Sequence, residues 1–221
     1  MASPAILAPV QQRSRATQAR LLDATIECLI RRGHGGTTTL EVCRRAGVSQ
    51  GALFKHFRTK ADLLGAAVQQ LFAGLIRDFR EAFAAVGPRA DRVSAALRLL
   101  RQAFAEPRLL AAFELYAVAR TDPRLHAVLA PVMAEHRENL RVEARKLFPE
   151  VDDASQLDAV VDTVMSALQG AALGGLVLSE PRSEARGFVV LERMVRRELE
   201  AAGAPAGRSG ARAGRIGTAD V

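Results

Sequence analysis

Large apolar side chains recur three and four positions apart through almost all of residues 12–201, and nowhere in that span do they alternate with polar ones at a period of two. A half-buried strand needs the alternation and a helix buried on one face needs the three-four spacing, so the chain is confined to an all-α fold. Proline and glycine divide that pattern into about nine helices. The first spans about Gln12 to Arg32, turns Leu21, Leu22, Thr25, Cys28 and Leu29 inward, and is stopped by Gly33. Two short helices follow at about 38–46 and 49–57. A long one begins at Thr59, whose hydroxyl can cap free N–H groups, and carries Leu63, Leu64, Ala67, Leu71, Leu75, Phe79 and Phe83 to the Gly87-Pro88 break. Helices at about 89–105, 107–120, 123–147, 154–179 and 183–201 are separated by Pro107, Asp122-Pro123, Phe148-Pro149 and Pro181. Pro131, inside the 123–147 segment, predicts a kink or a short break. From Ala202 the composition turns to Gly, Ala, Arg and Ser, which cannot offset the entropy of ordering. The expected organisation is a flexible 1–12, a small unit at 13–58, a larger one at 59–201 and a disordered tail at 202–221.

Charge separates the two units. Residues 1–60 hold ten Lys/Arg against three Asp/Glu, whereas residues 61–201 hold eighteen against twenty. A basic head on a nearly neutral body points to a polyanion at one end and to assembly or sensing at the other. Two cysteines fifteen apart, Cys28 and Cys43, make neither a disulfide framework nor a zinc pattern, and at core-like helix positions they read as packing. The N-terminal MASPAILAPVQQRSR lacks the form of a signal peptide and no stretch is long and apolar enough to span a bilayer, so the expected location is the cytoplasm.

Residues 38–57, TTLEVCRRAGVSQGALFKHF, have the spacing of a helix-turn-helix. Ala46 is small enough to let two helices approach, and Gly47 admits the left-handed conformation that ends the first of them. Val48 fills the angle between the helices, Ser49 caps the second, and Leu53 and Phe57 fall at i and i+4 on its buried side. The other side presents Gln50, Gly51, Ala52 and Lys55, small at the start and basic further on, which suits a DNA major groove about 12 Å wide. Gln50 can bond an adenine bidentately and Ala52 can meet a thymine methyl. Thr38, Lys55 and Lys60 stand where phosphates would pass, with Arg13 and Arg15 ahead of the head. Arg20 reads equally well as a solvated helix face.

An arginine-rich start, Leu-Leu-Asp-Ala in the first helix, Gly33, Thr-Thr ahead of the second helix, Ala-Gly-Val-Ser, and Leu-Phe-Lys-His-Phe followed by Thr-Lys-Ala-Asp-Leu-Leu stand in one ordered series over about 13–64. That series resembles the N-terminal signature of the tetracycline-repressor (TetR) family of transcriptional regulators. The resemblance implies an all-helical homodimer with a three-helix DNA-binding domain, a long connecting fourth helix, and a C-terminal domain for ligand binding and dimerisation. It adds Ser49, Gly51, Phe54 and His56 to the expected DNA-facing set. It also implies operator double-stranded DNA and a small-molecule effector as partners, with repression the commoner mode. There are three departures from the pattern. Phe54 stands where a tyrosine hydroxyl usually meets a phosphate, Thr39 and Leu40 exchange the usual aliphatic and polar positions, and His34 replaces a packing aromatic.

Beyond the head, Phe72, Phe79, Phe83, Phe104, Phe113, Met133 and Met165 can fill a core or line an apolar pocket between helices, with Tyr116, His136 and Gln169 as its polar groups. Small and β-branched residues at Val160, Val164, Ala167, Leu168, Ala171 and Gly175, with Phe188, Leu191 and Val195 on the last helix, form the expected dimer interface. His126 and His136, ten apart, do not have the spacing of a metal pair, and neither a metal nor a cofactor is expected. A helical-bundle enzyme is the rival from another class, but no glycine-rich phosphate loop, His-Glu-x-x-His, Gly-x-Ser-x-Gly or Glu-x-x-His occurs. An unregulated architectural DNA-binding protein would have no use for some 140 further residues of ordered, nearly neutral helix.

Overall fold

The computed structural model describes residues 7–87, 89–178 and 180–203. Among them are nine helices and no strand: α1 (Leu7–Gly36), α2 (Thr39–Ala46), α3 (Gln50–His56), α4 (Lys60–Ala84), α5 (Arg92–Phe104), α6 (Pro107–Ala119), α7 (Pro123–Leu147), α8 (Ala154–Gly175) and α9 (Pro181–Ala202). Local chemistry sets most of the boundaries. Thr38, Ser49, Asp91 and Asp153 each accept a hydrogen bond from a backbone N–H in the first turn they precede. Thr59 and Asp62 form a reciprocal capping box at the start of α4. Gly33 takes φ 64° and ψ −174°, so the segment on either side of it is two helical pieces.

The helices build two cores that share α4. In the head, α1, α2 and α3 close over Leu21, Cys28, Val42, Leu53 and Phe57, joined by Leu63 and Ala67 from the first turns of α4. Later turns of α4 bring Leu64, Val68, Leu71, Phe72 and Leu75 into the body core with α5 to α9. Where α4 crosses α7, a Cβ on Gly65 would lie 2.2 Å from a Val128 methyl, so the two backbones approach this closely only because glycine is there. Arg80 on α4 and the buried Glu143 on α7 pair further along the same crossing.

Several elements differ from their sequence expectation. Helix α1 starts at Leu7, ahead of Gln12. Pro131 neither ends nor divides α7, which is one helix from Pro123 to Leu147. Pro131 and Ala127, whose carbonyl loses its i+4 donor, are both exposed, so water can take the missing bond. Helix α8 ends at Gly175, short of 179, and is followed by the exposed Leu176, Val177 and Leu178. Helix α9 starts at Pro181 and reaches Ala202, which is buried, so the helix runs one residue past the expected end of the body at 201. The disorder expected of the tail falls, from residue 204 on, outside the described residues, as does the flexibility expected of residues 1–6. Among the described residues no helix is long and apolar enough to cross a membrane.

Candidate functional site

The turn of the helix-turn-helix has the geometry its residues require. Gly47 sits at φ 64° and ψ 42° and closes α2 by donating its N–H to the Cys43 carbonyl. Val48 packs half-buried against the head core, and the Ser49 hydroxyl accepts the Ala52 N–H at 3.1 Å. Leu53 and Phe57 are buried, which fixes the roll of α3 and turns Gln50, Gly51, Phe54 and Lys55 to solvent, with Ala52 and His56 half-buried at the edges. Phe54 and Leu40 are 48% and 66% exposed, two apolar side chains on the head surface with no core to enter. Arg13 and Arg15 are exposed on α1, and Thr38 is exposed at the cap of α2. Arg44 and Arg45 are held by Glu41 and Glu27, while Lys55 stands on the outer side of α3. Cys28 and Cys43 are free thiols in the head core, and burial pushes both pKa values up.

Lys60 is the exception among the expected DNA-facing residues. Its Nζ donates to the His34 carbonyl at 3.2 Å, and partial burial pushes its pKa down. The reason is local: the His34 carbonyl at the α1 break accepts the Thr37 N–H at 3.2 Å and has a second lone pair to offer, and the first residue of α4 is the cation within reach. On the other side of the same peptide segment the His34 N–H donates to Glu114 Oε1 at 2.8 Å. That carboxylate lies against Gly33, where a Cβ would come within 2.8 Å of Oε1. Glu114 thus clasps, from α6, the last turn of α1 beyond its Gly33 break, a contact that sequence reasoning missed. One signal pointed to it: Glu114 is the single charge in the apolar run Leu109–Ala119.

The body core is hollow. A cavity of about 610 Å³ lies between α4, α5, α6, α7, α8 and α9. Nine of the ten expected pocket residues line it: Phe72, Phe79, Phe104, Phe113, Tyr116, Met133, His136, Met165 and Gln169. Phe83 does not; it stacks on Phe79 one turn outside, with ring centroids 5.9 Å apart. The His136 ring lies flat on Phe72 at 3.9 Å and 8°, and its Nδ1 is enclosed with no partner. Burial pushes the His136 pKa down to about 4 and the Tyr116 phenol up, so both are neutral near pH 7. Among the described residues, no group of three or more His, Cys, Asp or Glu side chains is arranged to hold a metal ion.

The expected dimer residues divide by orientation. Val160, Val164, Leu168 and Val195 are buried inside the single chain, where Val160, Val164 and Val195 also line the cavity, so they are not available to a partner. Helical periodicity gives the reason: the β-branched stripe of α8 faces the hollow core, and the opposite face carries the small residues. Phe188 and Leu191 pack half-buried on the core, Phe188 beneath the Arg101 guanidinium at 4.5 Å. Ala167, Ala171 and Gly175 are exposed, beside Leu173, Leu176, Val177 and Leu178 and the α9 residues Val189, Val190 and Met194.

Comparison with known proteins places this architecture. Residues 21–67 match the family model described as bacterial regulatory proteins, tetR family. The chain is 32% identical over 179 residues to the HTH-type transcriptional regulator Rv2912c of Mycobacterium tuberculosis, covering 79% of this chain and 90% of the relative. Among solved structures, a TetR-family member (SCO1917) from Streptomyces coelicolor A3 is 28% identical with TM-score 0.60, covering 80% of this chain and 97% of its own. The multidrug binding protein EbrR, solved with ethidium, is 27% identical with TM-score 0.61 over the same shares. The head geometry and these likenesses agree, and the chain belongs to the TetR family of helix-turn-helix transcriptional regulators.

Proposed function

We propose that this regulator is a cytoplasmic homodimeric repressor, released from its operator when a small, largely apolar effector enters the cavity. The observation that carries this reading is the course of α4. Only three residues separate it from the end of α3, and it then supplies Phe72, Leu75, Ile76 and Phe79 to the cavity wall, so one rigid element touches both the DNA-reading head and the void. Helix α6 offers a second connection, with Phe113 and Tyr116 in the wall and Glu114 on the last turn of α1 in the head. EbrR, named as a multidrug binding protein, supports a small-molecule effector for a body of this shape.

Two recognition helices enter successive major grooves on one face of DNA when their centres are about 34–36 Å apart. The dimer that provides them forms through the small outer face of α8, with Ala167, Ala171 and Gly175, and the apolar outer face of α9, with Val189, Val190 and Met194, in a four-helix arrangement. The exposed Leu176-Val177-Leu178 segment extends that surface. An effector favouring a tilt of α4 moves the heads out of register, and it shifts the equilibrium only by its differential affinity for the two states.

Footprinting on DNA beside the gene tests the regulator reading directly. Gln50→Ala is expected to relax preference at one operator position at a cost of about 1–3 kcal/mol, while Lys55→Ala weakens operator and random DNA nearly equally. Equal losses on both DNAs for Gln50→Ala remove Gln50 from base reading. Ala171→Arg sets a charge into a desolvated contact and is expected to yield monomers in sedimentation. A monomeric unaltered chain at micromolar concentration overturns the dimer.

A further inference from the structure

The cavity wall carries five charged side chains, Arg137, Glu138, Arg141, Glu143 and Asp162, all from α7 and α8. Four of them are firmly paired within the protein, and the fifth, Arg137, is two-thirds exposed and reaches only the carboxylate that Arg141 already holds. Asp162 holds Arg141 at 2.5 Å and Arg137 at 3.9 Å, Glu138 faces Arg145 at 3.1 Å and Arg141 at 3.7 Å, and Glu143 holds Arg80 and Lys146. A charged ligand entering this space would leave its hydration behind and find no enclosed counter-charge free of a partner, and breaking one of the firm pairs to supply it would strand the other partner. The rest of the wall is apolar except for Tyr116, His136, Gln169 and Ser166, and the Ser166 hydroxyl is spent on the Asp162 carbonyl.

Of these polar groups His136 is held most firmly, by its stack on Phe72, and it alone has a buried side-chain nitrogen, Nδ1, without a partner. As the ring stands Nδ1 is closed to the cavity, and a half-turn about the Cβ–Cγ bond keeps the stack while exchanging Nδ1 with Cδ2 and Nε2 with Cε1. Neutral imidazole has one donor and one acceptor nitrogen, and a hydroxyl, which both donates and accepts, suits either.

We propose that the cavity takes an uncharged, predominantly apolar molecule bearing a hydroxyl that hydrogen-bonds the His136 imidazole, and excludes cations and anions of the same shape. This rests on the effector-released reading above and names the chemistry of its ligand. The depressed His136 pKa agrees with it, since a neutral imidazole offers an anion no charge.

Four probes of one shape test it on the intact full-length chain at pH 7 by calorimetry: 4-hydroxybiphenyl, 4-methoxybiphenyl, biphenyl-4-carboxylate and biphenyl-4-yl-trimethylammonium. The hydroxyl compound is expected to bind about tenfold or more tighter than either ion, and about tenfold tighter than the methyl ether, the scale of one satisfied buried hydrogen bond. His136→Phe, which keeps a ring on Phe72, should erase the advantage over the ether while leaving the ether's affinity unchanged. His136→Leu serves as a second variant should the phenyl ring disturb folding, with operator affinity as the check that the chain is native. An ion that binds as tightly as the hydroxyl compound overturns the proposal. So do equal affinities for hydroxyl and ether, an unchanged preference in both variants, or no binding of any probe up to millimolar concentration. Operator release by a bound ion would overturn the selectivity and keep the effector reading. Tight, selective binding of 4-hydroxybiphenyl that leaves the operator complex intact would do the reverse.

Discussion

The head and the body solve the packing problem in opposite ways. In the head, Leu21, Cys28, Val42 and Leu53 are at or near zero exposure around a closed core, with α2 and α3 each less than three turns long. In the body, a larger apolar core is built around a void of about 610 Å³, with Phe72, Phe104, Phe113 and Leu157 buried at its edge. Short helices gain little stability alone, so α2 and α3 hold their relative angle only through complete burial of one face. The body can leave space empty because its long helices are tied at many other points, among them Arg80–Glu143 across α4 and α7 and the Asp91–Arg196–Glu192 group joining α5 to α9. The contrast assigns shape-keeping to the head and adaptability to the body.

The sharpest break of that contrast is truncation in each core. Leu53→Ala is expected to cost about 2–5 kcal/mol in urea denaturation and to abolish operator binding at 37 °C, because the closed head cannot collapse into the gap. Met165→Ala, on a wall that already faces empty space, should cost about 1–2 kcal/mol, since fewer contacts are removed. Equal costs at the two positions would mean the void is filled or closed in solution.

The same contrast explains which parts were legible in the sequence. The head is read through residues whose requirement is local: Gly47 for a left-handed cap, Ser49 and Thr59 for N–H groups, Leu53 and Phe57 for one buried stripe. Residues of that kind state their geometry without knowledge of the partner helix. In the body, periodicity located the helices and grouped Phe72, Phe104, Tyr116 and His136, which all line the cavity, because a ring of aromatics on inward faces meets at the centre whatever the crossing angles. It did not separate the two faces of α8, where Val164 and Ala171 are both apolar and only the tertiary arrangement decides which meets the cavity. Phe83 was lost for a related reason, since it lies one turn past the cavity on an otherwise continuous stripe. The hydrogen bond of Lys60 to a backbone carbonyl 26 residues earlier is a contact that no spacing rule reports.

A smaller effect tests the joint between the regions. Gly33→Ala forces a side chain into φ 64° and against the Glu114 carboxylate, with an expected loss of about 1–3 kcal/mol. Glu114→Ala removes the clash but leaves the His34 N–H unpartnered, so the double variant should be more stable than the sum of the two singles predicts. Strict additivity would show that the clasp does not bear on head stability. Glu114→Ala alone is also expected to weaken coupling, measured as the ratio of effector affinities with and without operator DNA.

Smaller again is the effect of filling the void. Ala96 lines the cavity, and Ala96→Leu adds apolar volume where there is room, so stability is expected to change by no more than about 1 kcal/mol. Operator affinity should hold while the response to any effector is blunted. An intact response would move the effector site elsewhere in the body.

The acid dependence also bears on the two regions. His136 has a folded pKa of about 4 against an ordinary 6.5, so as pH falls below 6.5 the unfolded chain takes up the proton first and stability declines until about pH 4. Glu143 is held at about 2 against 4.5 by Arg80 and Lys146, so its contribution is complete above 4.5 and is lost as pH falls from there toward 2. The body therefore loses stability in two successive windows, and each window belongs to a side chain in the cavity wall. In the head, His34 is also shifted down by burial, which adds a decline of the same sign below 6.5. His136→Phe should accordingly flatten, without abolishing, the slope of the urea midpoint between pH 6.5 and 4 and leave the window below 4.5 to Glu143. Glu143→Gln should do the converse. If His136→Phe leaves the upper slope unchanged, the imidazole is not neutral and enclosed in the folded chain, and the cavity is wetter than its wall implies.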